Sequence, residues 1–402
     1  MKNKFYLTTF ILTLISVRIC NAQTAYITNY YNNNVSVIDV ATNTVIDSIA
    51  VGIHPYGVSV TQDGSKVYIT NQKDSTVSII NTNTNLVSGI IKVGNNPDGI
   101  AVSADGSKVY VTNYGDTILS VINTSTNTVV ASIPIGYSPF GVSISPDGSK
   151  VYVANYVNNT VSVINTTTNT VSDIIAVGFS PIGLCVSPDG SKVYVAVAGA
   201  NAIKVINTIT NNVSNTIAVG SFPRGITISP DGSNIYVTNA NGNSVSLINT
   251  ATNIVSATIP VGVQPFGISV SPDGSKVYVA NKIDNTVSVI NTTTNTVSDT
   301  ITVGNNPIAF GNFISTHVPV GIASLSIEGG FSLYPNPTNG QFTISLPTDN
   351  AEITVTDILG KQIIKTQASQ KITNLQLDNN GVYIVYVKTK QETTTRKLIV
   401  NR

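Results

Sequence analysis

The chain has 402 residues, of which 42% are hydrophobic and 10% charged, and its formal net charge is +1. This near-neutral charge without basic runs argues against a nucleic-acid partner, whose phosphates need clustered Lys and Arg. Two Cys and two His exclude a disulfide framework, a cysteine zinc site and a multi-histidine metal centre. The length suffices for two domains or one large all-β domain.

Residues 1–22 have the pattern of a secretory signal peptide. Two lysines precede an apolar run over residues 5–17, and small residues follow that run. The run is too short to cross a membrane as a stable helix, and no later segment approaches that length. We therefore expect cleavage between Ala22 and Gln23, and no transmembrane helix in the mature chain.

The two cysteines have different expected fates. Acylation of Cys20 in a lipoprotein signal is an alternative to simple cleavage, but Ile19 is too bulky for the residue before that cut. Cys185 lies among strand-forming apolar neighbours, so a buried, inert thiol is expected there rather than a nucleophile.

Three markers recur every 42 residues over residues 23–316. Asp-Gly pairs begin at positions 63, 105, 147, 189, 231 and 273. Tyrosines that open a Tyr-Val/Ile-Thr/Ala-Asn element stand at positions 26, 68, 110, 152, 194, 236 and 278. Prolines stand at positions 55, 97, 139, 181, 223, 265 and 307. A repeat of this length is typical of a β-propeller blade, and seven copies predict seven blades.

Each copy divides into four short strands. In one copy these are predicted at residues 141–145, 150–155, 160–165 and 170–177. A Ser-Pro-Asp-Gly turn joins the first two strands, and an Asn/Thr turn joins the last two.

The phase of the repeat predicts how the ring closes. The chain enters at the second strand of a blade, at Thr24, and its last repeat ends after one strand at 308–315. That terminal strand is expected to complete the blade begun by residues 24–52, which leaves no open sheet edge in the ring.

The Tyr-Val-Thr-Asn element, the Pro-Asp-Gly turn and the Val-Gly-x-x-Pro-x-Gly connection resemble those of the YVTN family of β-propeller repeats. The resemblance covers residues 24–316. It implies a seven-bladed propeller of the kind found in exported and surface-layer proteins, and it implies little about function beyond export and binding.

Residues 317–330 are expected to be a linker, and residues 331–402 a small antiparallel β-sandwich. Its markers are Tyr334-Pro335-Asn336-Pro337, Gly340, the Asp357-x-x-Gly360 turn, Gly381-x-Tyr383 and the terminal strand that begins at Lys397. They resemble the C-terminal type A sorting domain of type IX (Por) secretion cargo in Bacteroidetes. A carbohydrate-binding or fibronectin-like accessory sandwich is the alternative.

The second resemblance carries its own implications. It implies passage through the periplasm and across the outer membrane, with the type IX machinery and a sortase-like peptidase as partners. The mature protein is then expected to be secreted or to stay on the cell surface.

The strand order predicts two unlike faces of the propeller. The connections into the first strands and the loops between second and third strands form one face, here called the loop face. The Pro-Asp-Gly and Asn/Thr turns form the other, the turn face, which is nearly uniform between repeats. On the loop face the residue after each proline is expected to ring the mouth of the central channel. These seven residues are Tyr56, Asp98, Phe140, Ile182, Arg224, Phe266 and Ile308.

Ten aromatic residues are predicted on the loop face, where rings offer large contact areas to sugars or peptides. They are Tyr30, Tyr31, Tyr56, Tyr114, Tyr137, Phe140, Tyr156, Phe179, Phe222 and Phe266. The alternative is that about half of them pack back over the blade ends as hydrophobic plugs.

The sequence lacks the groups that most hydrolytic sites need. His54 lies in a rim loop and His317 in the linker, so each is expected to be a solvated loop residue. Four carboxylates are predicted on the loop face, where they would face water or, as the alternative, hold a calcium ion. These are Asp74, Asp98, Asp116 and Asp284. No catalytic residue, cofactor or metal site is predicted.

We therefore expect a secreted, non-enzymatic propeller that binds an extracellular protein or glycan at the loop face. In this hypothesis Arg224 and Asp98 orient the ligand, and Tyr56, Phe140 and Phe266 supply contact area. The other expected binding residues are Tyr30, Tyr114 and Tyr156. A lactonase-like propeller hydrolase and a structural surface-layer protein are the alternatives.

Overall fold

The structure is a computed structural model that describes residues 23–315, 331–334, 338, 340–346, 349–357, 360–389 and 393–400. The described residues up to Ser315 form one compact unit, and those from Phe331 form a second. The predicted signal peptide and linker lie outside the described residues, as does the Pro335-Asn336-Pro337 part of the C-terminal motif.

The first unit consists of antiparallel sheets that follow one another along the chain, each with consecutive strands as neighbours. Blade 1 contains β1 (Thr24–Asn29), β2 (Asn34–Asp39) and β3 (Thr44–Ala50), and blade 2 contains β4 (Pro55–Val60), β5 (Lys66–Asn71), β6 (Thr76–Asn81) and β7 (Leu86–Lys92). Blade 3 contains β8 (Pro97–Val102), β9 (Lys108–Asn113), β10 (Ile118–Asn123) and β11 (Thr128–Pro134), and blade 4 contains β12 (Pro139–Ile144), β13 (Lys150–Asn155), β14 (Thr160–Asn165) and β15 (Thr170–Ala176).

The remaining blades repeat this pattern. Blade 5 contains β16 (Pro181–Val186), β17 (Lys192–Val197), β18 (Ala202–Asn207) and β19 (Asn212–Ala218), with a 3-10 turn at Ala198–Ala200, and blade 6 contains β20 (Pro223–Ile228), β21 (Asn234–Asn239), β22 (Ser244–Asn249) and β23 (Ile254–Pro260). Blade 7 contains β24 (Pro265–Val270), β25 (Lys276–Asn281), β26 (Thr286–Asn291) and β27 (Thr296–Thr302).

The burial pattern explains the composition of the strands. The second and third strands of a blade are almost entirely buried, as in β13 and β14, because each blade is covered on both faces by its neighbours. The fourth strand lies at the outer edge, and in β15 exposed and half-buried residues alternate up to the buried Ile175. The long runs of Val and Ile therefore belong to the inner strands.

Blade 1 is closed by the last residues of the propeller. The backbone N–H of Tyr26 donates to the carbonyl of Phe313 at 2.9 Å, and the N–H of Ser315 donates to the carbonyl of Thr24 at 2.8 Å. Bridges pair Ala25 with Ile314 and Asn29 with Pro307 in antiparallel register. The predicted seven-bladed, all-β ring closed by strand 308–315 is confirmed.

Glycines near the start of the first strands bring neighbouring blades into close contact around the channel. A Cβ atom at Gly267 would lie 1.9 Å from the carbonyl oxygen of Ala309, and one at Gly57 would lie 2.1 Å from that of Asp98. Only glycine leaves room for this approach of two backbones.

The second unit contains two antiparallel sheets. One has the order β28 (Ser332–Tyr334), β29 (Gln341–Ser345), β32 (Ile372–Gln376), and the other has the order β31 (Gln362–Ala368), β30 (Ala351–Asp357), β33 (Gly381–Lys388), β34 (Thr393–Val400). Phe342 and Ile344 from the first sheet share a buried core with Ile353, Val355 and Val385 from the second. The predicted β-sandwich is confirmed.

Several residues of the C-terminal motif have local structural roles. The N–H groups of Gly360 and Lys361 donate to the carbonyl (3.1 Å) and a carboxylate oxygen (2.9 Å) of Asp357, which closes the turn. The buried Tyr383 donates its hydroxyl to the carbonyl of Asn379 at 2.9 Å, and its ring lies over Gly381. Gly340 accepts the N–H of Leu377 at 2.8 Å. Tyr334 and Lys397 lie on β28 and β34.

Candidate functional site on the loop face

The loop face is built by two backbone hydrogen bonds in every blade. They join the loop after the second strand to the connection before the first strand, as where the N–H groups of Tyr156 and Val157 donate to the carbonyls of Ser138 and Tyr137. The residue two positions before each proline is held at the rim. In blades 1 to 7 these rim residues and their partners are Asn305–Tyr31, Ile53–Lys73, Asn95–Gly115, Tyr137–Val157, Phe179–Gly199, Ser221–Asn241 and Val263–Ile283.

An aromatic plug seals the channel at the loop face. It is the cluster of buried residues Tyr56, Phe140, Ile182, Ala198, Phe266, Ile308 and Phe310. The ring of Tyr56 meets those of Phe266 and Phe140 edge-on, with centroids 5.6 and 5.9 Å apart. Phe140 contacts Phe310 of the closing segment at 5.3 Å. Edge-to-face pairs of this kind add to the free energy gained from burial.

The burial of Tyr56, Phe140 and Phe266 corrects the role expected for them. The side chain of Phe266 is 2% exposed, and the other two are nearly as buried. Their rings turn into the channel because the seven first strands converge there and leave an apolar space that only large side chains fill. They therefore provide no ligand contact area in this structure, and they act as the plug that was the alternative.

The other expected aromatic residues surround this plug. Tyr30 and Tyr156 are half-buried and pack against it, and so does Phe222. Tyr114 is more exposed, and its ring lies edge-on to Phe140 with centroids 5.9 Å apart. Tyr30, Tyr114 and Tyr156 thus lie between the plug and the solvent, and they remain predicted ligand contacts.

Four polar residues are packed into the plug. Asp98 is 2% exposed and accepts a hydrogen bond from the side-chain amide of Gln72. The guanidinium carbon of Arg224 lies 4.4 Å from the ring centroid of Phe266, and the Lys282 ammonium lies 5.7 Å from the same centroid. Burial lowers the pKa of Arg224 and of Lys282. The cluster therefore concentrates charge beside aromatic rings at the channel mouth.

The buried carboxyl of Asp98 makes stability depend on pH. Burial raises its pKa to about 7, although the Gln72 hydrogen bond and the Arg224 charge act in the opposite direction. The native state then holds the proton between about pH 4 and pH 7, where the unfolded state has lost it, so stability falls as the pH rises through this window.

We expect Asp98→Asn to remove this dependence. Between pH 5 and pH 8 the free energy of unfolding of the natural chain should fall by about 2–3 kcal/mol more than that of the variant. Urea unfolding of both proteins at the two pH values measures the difference. Parallel pH profiles would show that Asp98 is ionised in both states.

The outer rim carries most of the exposed apolar surface of the loop face. The rings of Tyr31, Tyr137 and Phe179 are 60%, 63% and 72% exposed. Exposed aliphatic side chains accompany them at Ile53, Val157 and Ile283. Reasoning from aromatic residues alone missed these aliphatic positions. The signal was present, since each occupies a repeat position that is polar or glycine in several other blades.

Three of the four carboxylates expected to face water are structural caps, and the fourth, Asp98, is buried in the plug. Asp74, Asp116 and Asp284 each accept the backbone N–H of the rim residue 21 positions earlier, at 2.6, 2.6 and 2.7 Å. Asn158 does the same in blade 4, and Asn32 accepts the N–H of Asn305, the rim residue of blade 1. His54, expected to be solvated, is instead half-buried and stacks on Tyr30 with centroids 4.2 Å apart. Within the described residues, no three His, Cys, Asp or Glu side chains form a metal-ligating group.

Beneath the plug the channel changes in width. A narrow section of the channel, with a volume of about 40 Å³, lies among the glycines of the first strands. A larger cavity of about 420 Å³ lies between this section and the turn face. Cys185 lines this wider cavity, and burial raises the pKa of its thiol to about 12. The thiol is therefore protonated and unreactive at neutral pH.

Two family models match this chain. Residues 142–241 match the YNCE-like beta-propeller, and residues 332–401 match the secretion system C-terminal sorting domain. The first unit is a β-propeller in which residues 142–241 are similar to the YNCE-like family, and residues 332–401 are similar to the C-terminal sorting domain. The sorting domain indicates export through type IX secretion to the cell surface or the extracellular space. The YVTN label and an origin in Bacteroidetes stay predictions.

Solved propeller structures resemble the first unit. A chain of Kuenenia stuttgartiensis hydrazine synthase is similar, with a TM-score of 0.61 and 24% identity over 67% of this chain and 92% of that one. A functionally unknown protein from Desulfotomaculum acetoxidans DSM 771 is similar with a TM-score of 0.62 and 17% identity, over 72% of this chain and all of that one. At these identities the likeness concerns the fold alone.

No curated protein matches the sequence. Among the described residues, no helix is long and apolar enough to cross a membrane.

Proposed function

We propose that this exported propeller is a non-enzymatic binding protein that holds an extracellular protein or glycan on its loop face. The observation that carries the proposal is the exposed apolar rim. Exposed apolar groups gathered on one face of a protein are characteristic of interaction sites.

The rim is uneven around the ring, which favours one side for contact. Blades 4 and 5 present Tyr137, Val157 and Phe179 next to one another, whereas the same positions in blade 6 are Ser221 and Asn241. Tyrosine and phenylalanine rings bury large areas on binding at a small cost in conformational entropy. We therefore place the centre of the contact on blades 4 and 5.

Arg224 remains the residue proposed to orient the ligand. Its side chain is half-buried between Phe222 and Phe266, and its Nε has no hydrogen-bond partner in the described part of the chain. An acceptor atom of a ligand seated over the plug would pair with the accessible part of the guanidinium group. Asp98, which is buried, acts through Arg224 rather than by direct contact.

A Tyr137→Ser/Phe179→Ser double variant is expected to weaken ligand binding by about 30-fold or more, because each ring is a central contact. The measurement is a glycan and peptide array probed with the purified full chain, followed by titration of the hits. Ile209→Ser is the matched control, since Ile209 is also exposed but lies in a turn of the opposite face.

The outcomes separate the proposal from its alternatives. Binding that is lost in the double variant and kept in the control supports it. Binding lost equally in both variants, or no hit from either array, contradicts it. Turnover of a lactone substrate in the presence of added divalent ions would contradict the non-enzymatic part.

The processing steps belong to the same proposal. Signal cleavage between Ala22 and Gln23 and removal of the sorting domain by a sortase-like peptidase are supported by the sequence pattern and by the sorting-domain match. Mass spectrometry of the exported protein gives both ends of the mature chain directly.

A further inference from the structure

A cleft of about 450 Å³ opens on the turn face between blades 2 and 3. Its walls include Gln62, Asp63, Lys66 and Tyr68 from blade 2, and Asp105, Gly106 and Thr124 from blade 3. This face is otherwise nearly uniform in sequence, so the cleft has a local cause.

One cause is the loss of a proline. In the turns of later blades a proline packs against the turn glycine of the next blade. A Cβ at Gly190 would lie 3.5 Å from Pro146, and one at Gly232 would lie 3.3 Å from Pro188. Gln62 stands in place of this proline in blade 2 and Ala104 in blade 3, and nothing lies within 4 Å of the same point on Gly106 or Gly148.

A second cause is a missing contact between blades. The Lys108 and Lys150 ammonium groups donate to the carbonyls of Thr166 and Thr208 in the next blade, at 3.1 and 3.0 Å. Lys66 has the same place in blade 2, opposite Thr124. In the described part of the chain its ammonium, like that of Lys192 in blade 5, has no hydrogen-bond partner, and Lys66 lines the cleft.

The Tyr68 hydroxyl is also left without a partner. Tyr68 is fully buried, and its hydroxyl, like that of Tyr152, makes no hydrogen bond among the described residues. At the junction of blades 7 and 1 the equivalent Tyr278 hydroxyl is 2.8 Å from the amide oxygen of Asn43. The Lys276 ammonium there donates to the carbonyl of Val40 at 2.7 Å.

That junction shows which hydrogen-bond acceptors are missing from the cleft. Two acceptor oxygens satisfy the lysine and the tyrosine where blades 7 and 1 meet. The cleft is lined by the Lys66 ammonium and by Tyr68, whose buried hydroxyl is the second donor, and among the described residues it holds no such acceptor oxygens for them; the Asp105 carboxylate and the Thr124 side chain lie on the facing wall. An unpaired buried hydroxyl costs free energy that a ligand oxygen would recover.

We propose that this cleft binds a small carboxylate that also carries hydrogen-bond donors, as an amino acid or a sugar acid does. The carboxylate pairs with Lys66 and accepts the Tyr68 hydroxyl proton in a hydrogen bond. The donor groups of the ligand face Asp105. This site lies on the face opposite the proposed macromolecular contact and is independent of it.

Isothermal titration of the purified full chain with L-serine and with D-glucuronate tests the proposal and distinguishes the two sources of the carboxylate. D-glucose, which lacks a carboxylate, is the ligand control. We expect at least one of the two acids to bind, and Lys66→Gln and Tyr68→Phe each to weaken that binding about 10-fold or more.

Two further variants make the test specific to the cleft. Gln62→Pro restores the turn of the later blades and is expected to weaken binding by filling the opening. Lys192→Gln alters the equivalent lysine of blade 5, whose turn proline is present, and is expected to leave binding unchanged. Absence of binding by both acids, equal binding of D-glucose, or an equal loss in Lys192→Gln would overturn the proposal.

Discussion

The Phe266→Ala variant is expected to lose about 3–5 kcal/mol of its free energy of unfolding. The ring is buried in the plug, where it contacts Tyr56 edge-on and carries Arg224 on its face. Removing it leaves a cavity at the point where the seven first strands converge. It also removes the cation–π partner of a half-buried charge. Urea unfolding followed by tyrosine fluorescence measures the change.

Phe179→Ala is the matched control for this prediction. It deletes the same ring from the same face, but from a position that is largely exposed, so a change within about 0.5 kcal/mol is expected. Equal losses in the two variants would mean that the plug makes no special contribution to stability. A Phe266→Leu variant should recover a large part of the loss, because the space is then mostly filled.

Gly267→Ala is expected to cost about 3 kcal/mol or more, because a methyl group there meets backbone rather than a side chain. Two carbonyl oxygens of the closing segment, those of Ala309 and Ile308, lie 1.9 and 2.3 Å from the position of the added carbon. Relief requires blade 7 to move away from the segment that closes the ring. Thermal unfolding and the rate of limited proteolysis near residue 308 measure this effect.

Gly89→Ala is the corresponding control at an outer edge strand. Its added carbon would lie 3.3 Å from Cδ1 of Ile79, the end of a flexible side chain. We expect a small change, and even a slight gain, since alanine lowers the entropy of the unfolded chain. A proteolysis rate for Gly267→Ala no higher than that for Gly89→Ala would contradict the clash at the ring closure.

Much of the fold can be predicted from the sequence because the same pattern of strands and turns recurs in seven copies. The unbroken 42-residue spacing determines the number of blades, and its phase places the closing strand opposite Thr24. The turn residues identify the strand boundaries, since Pro and Gly are compatible with few backbone conformations. In the second unit the alternation of β29 and β30 likewise predicts two packed sheets.

The candidate site was harder to predict because position on a face does not fix the direction of a side chain. Tyr56 and Tyr137 both belong to the loop face, but one fills the channel and the other points into solvent. The difference depends on how far seven strands converge, which is a property of the whole ring. The same limit applies to Asp74, whose carboxylate caps a backbone N–H 21 residues away.

The closing strand also links the folding of the propeller to its export. Residues 308–315 are synthesised after every other strand of the ring, and they supply the partners of Tyr26 and Thr28. The sorting domain lies later still in the chain. Each molecule that contains the sorting domain therefore also contains the strand that closes its ring. Products of incomplete synthesis, with an open blade and a free sheet edge, lack the sorting domain that indicates type IX export.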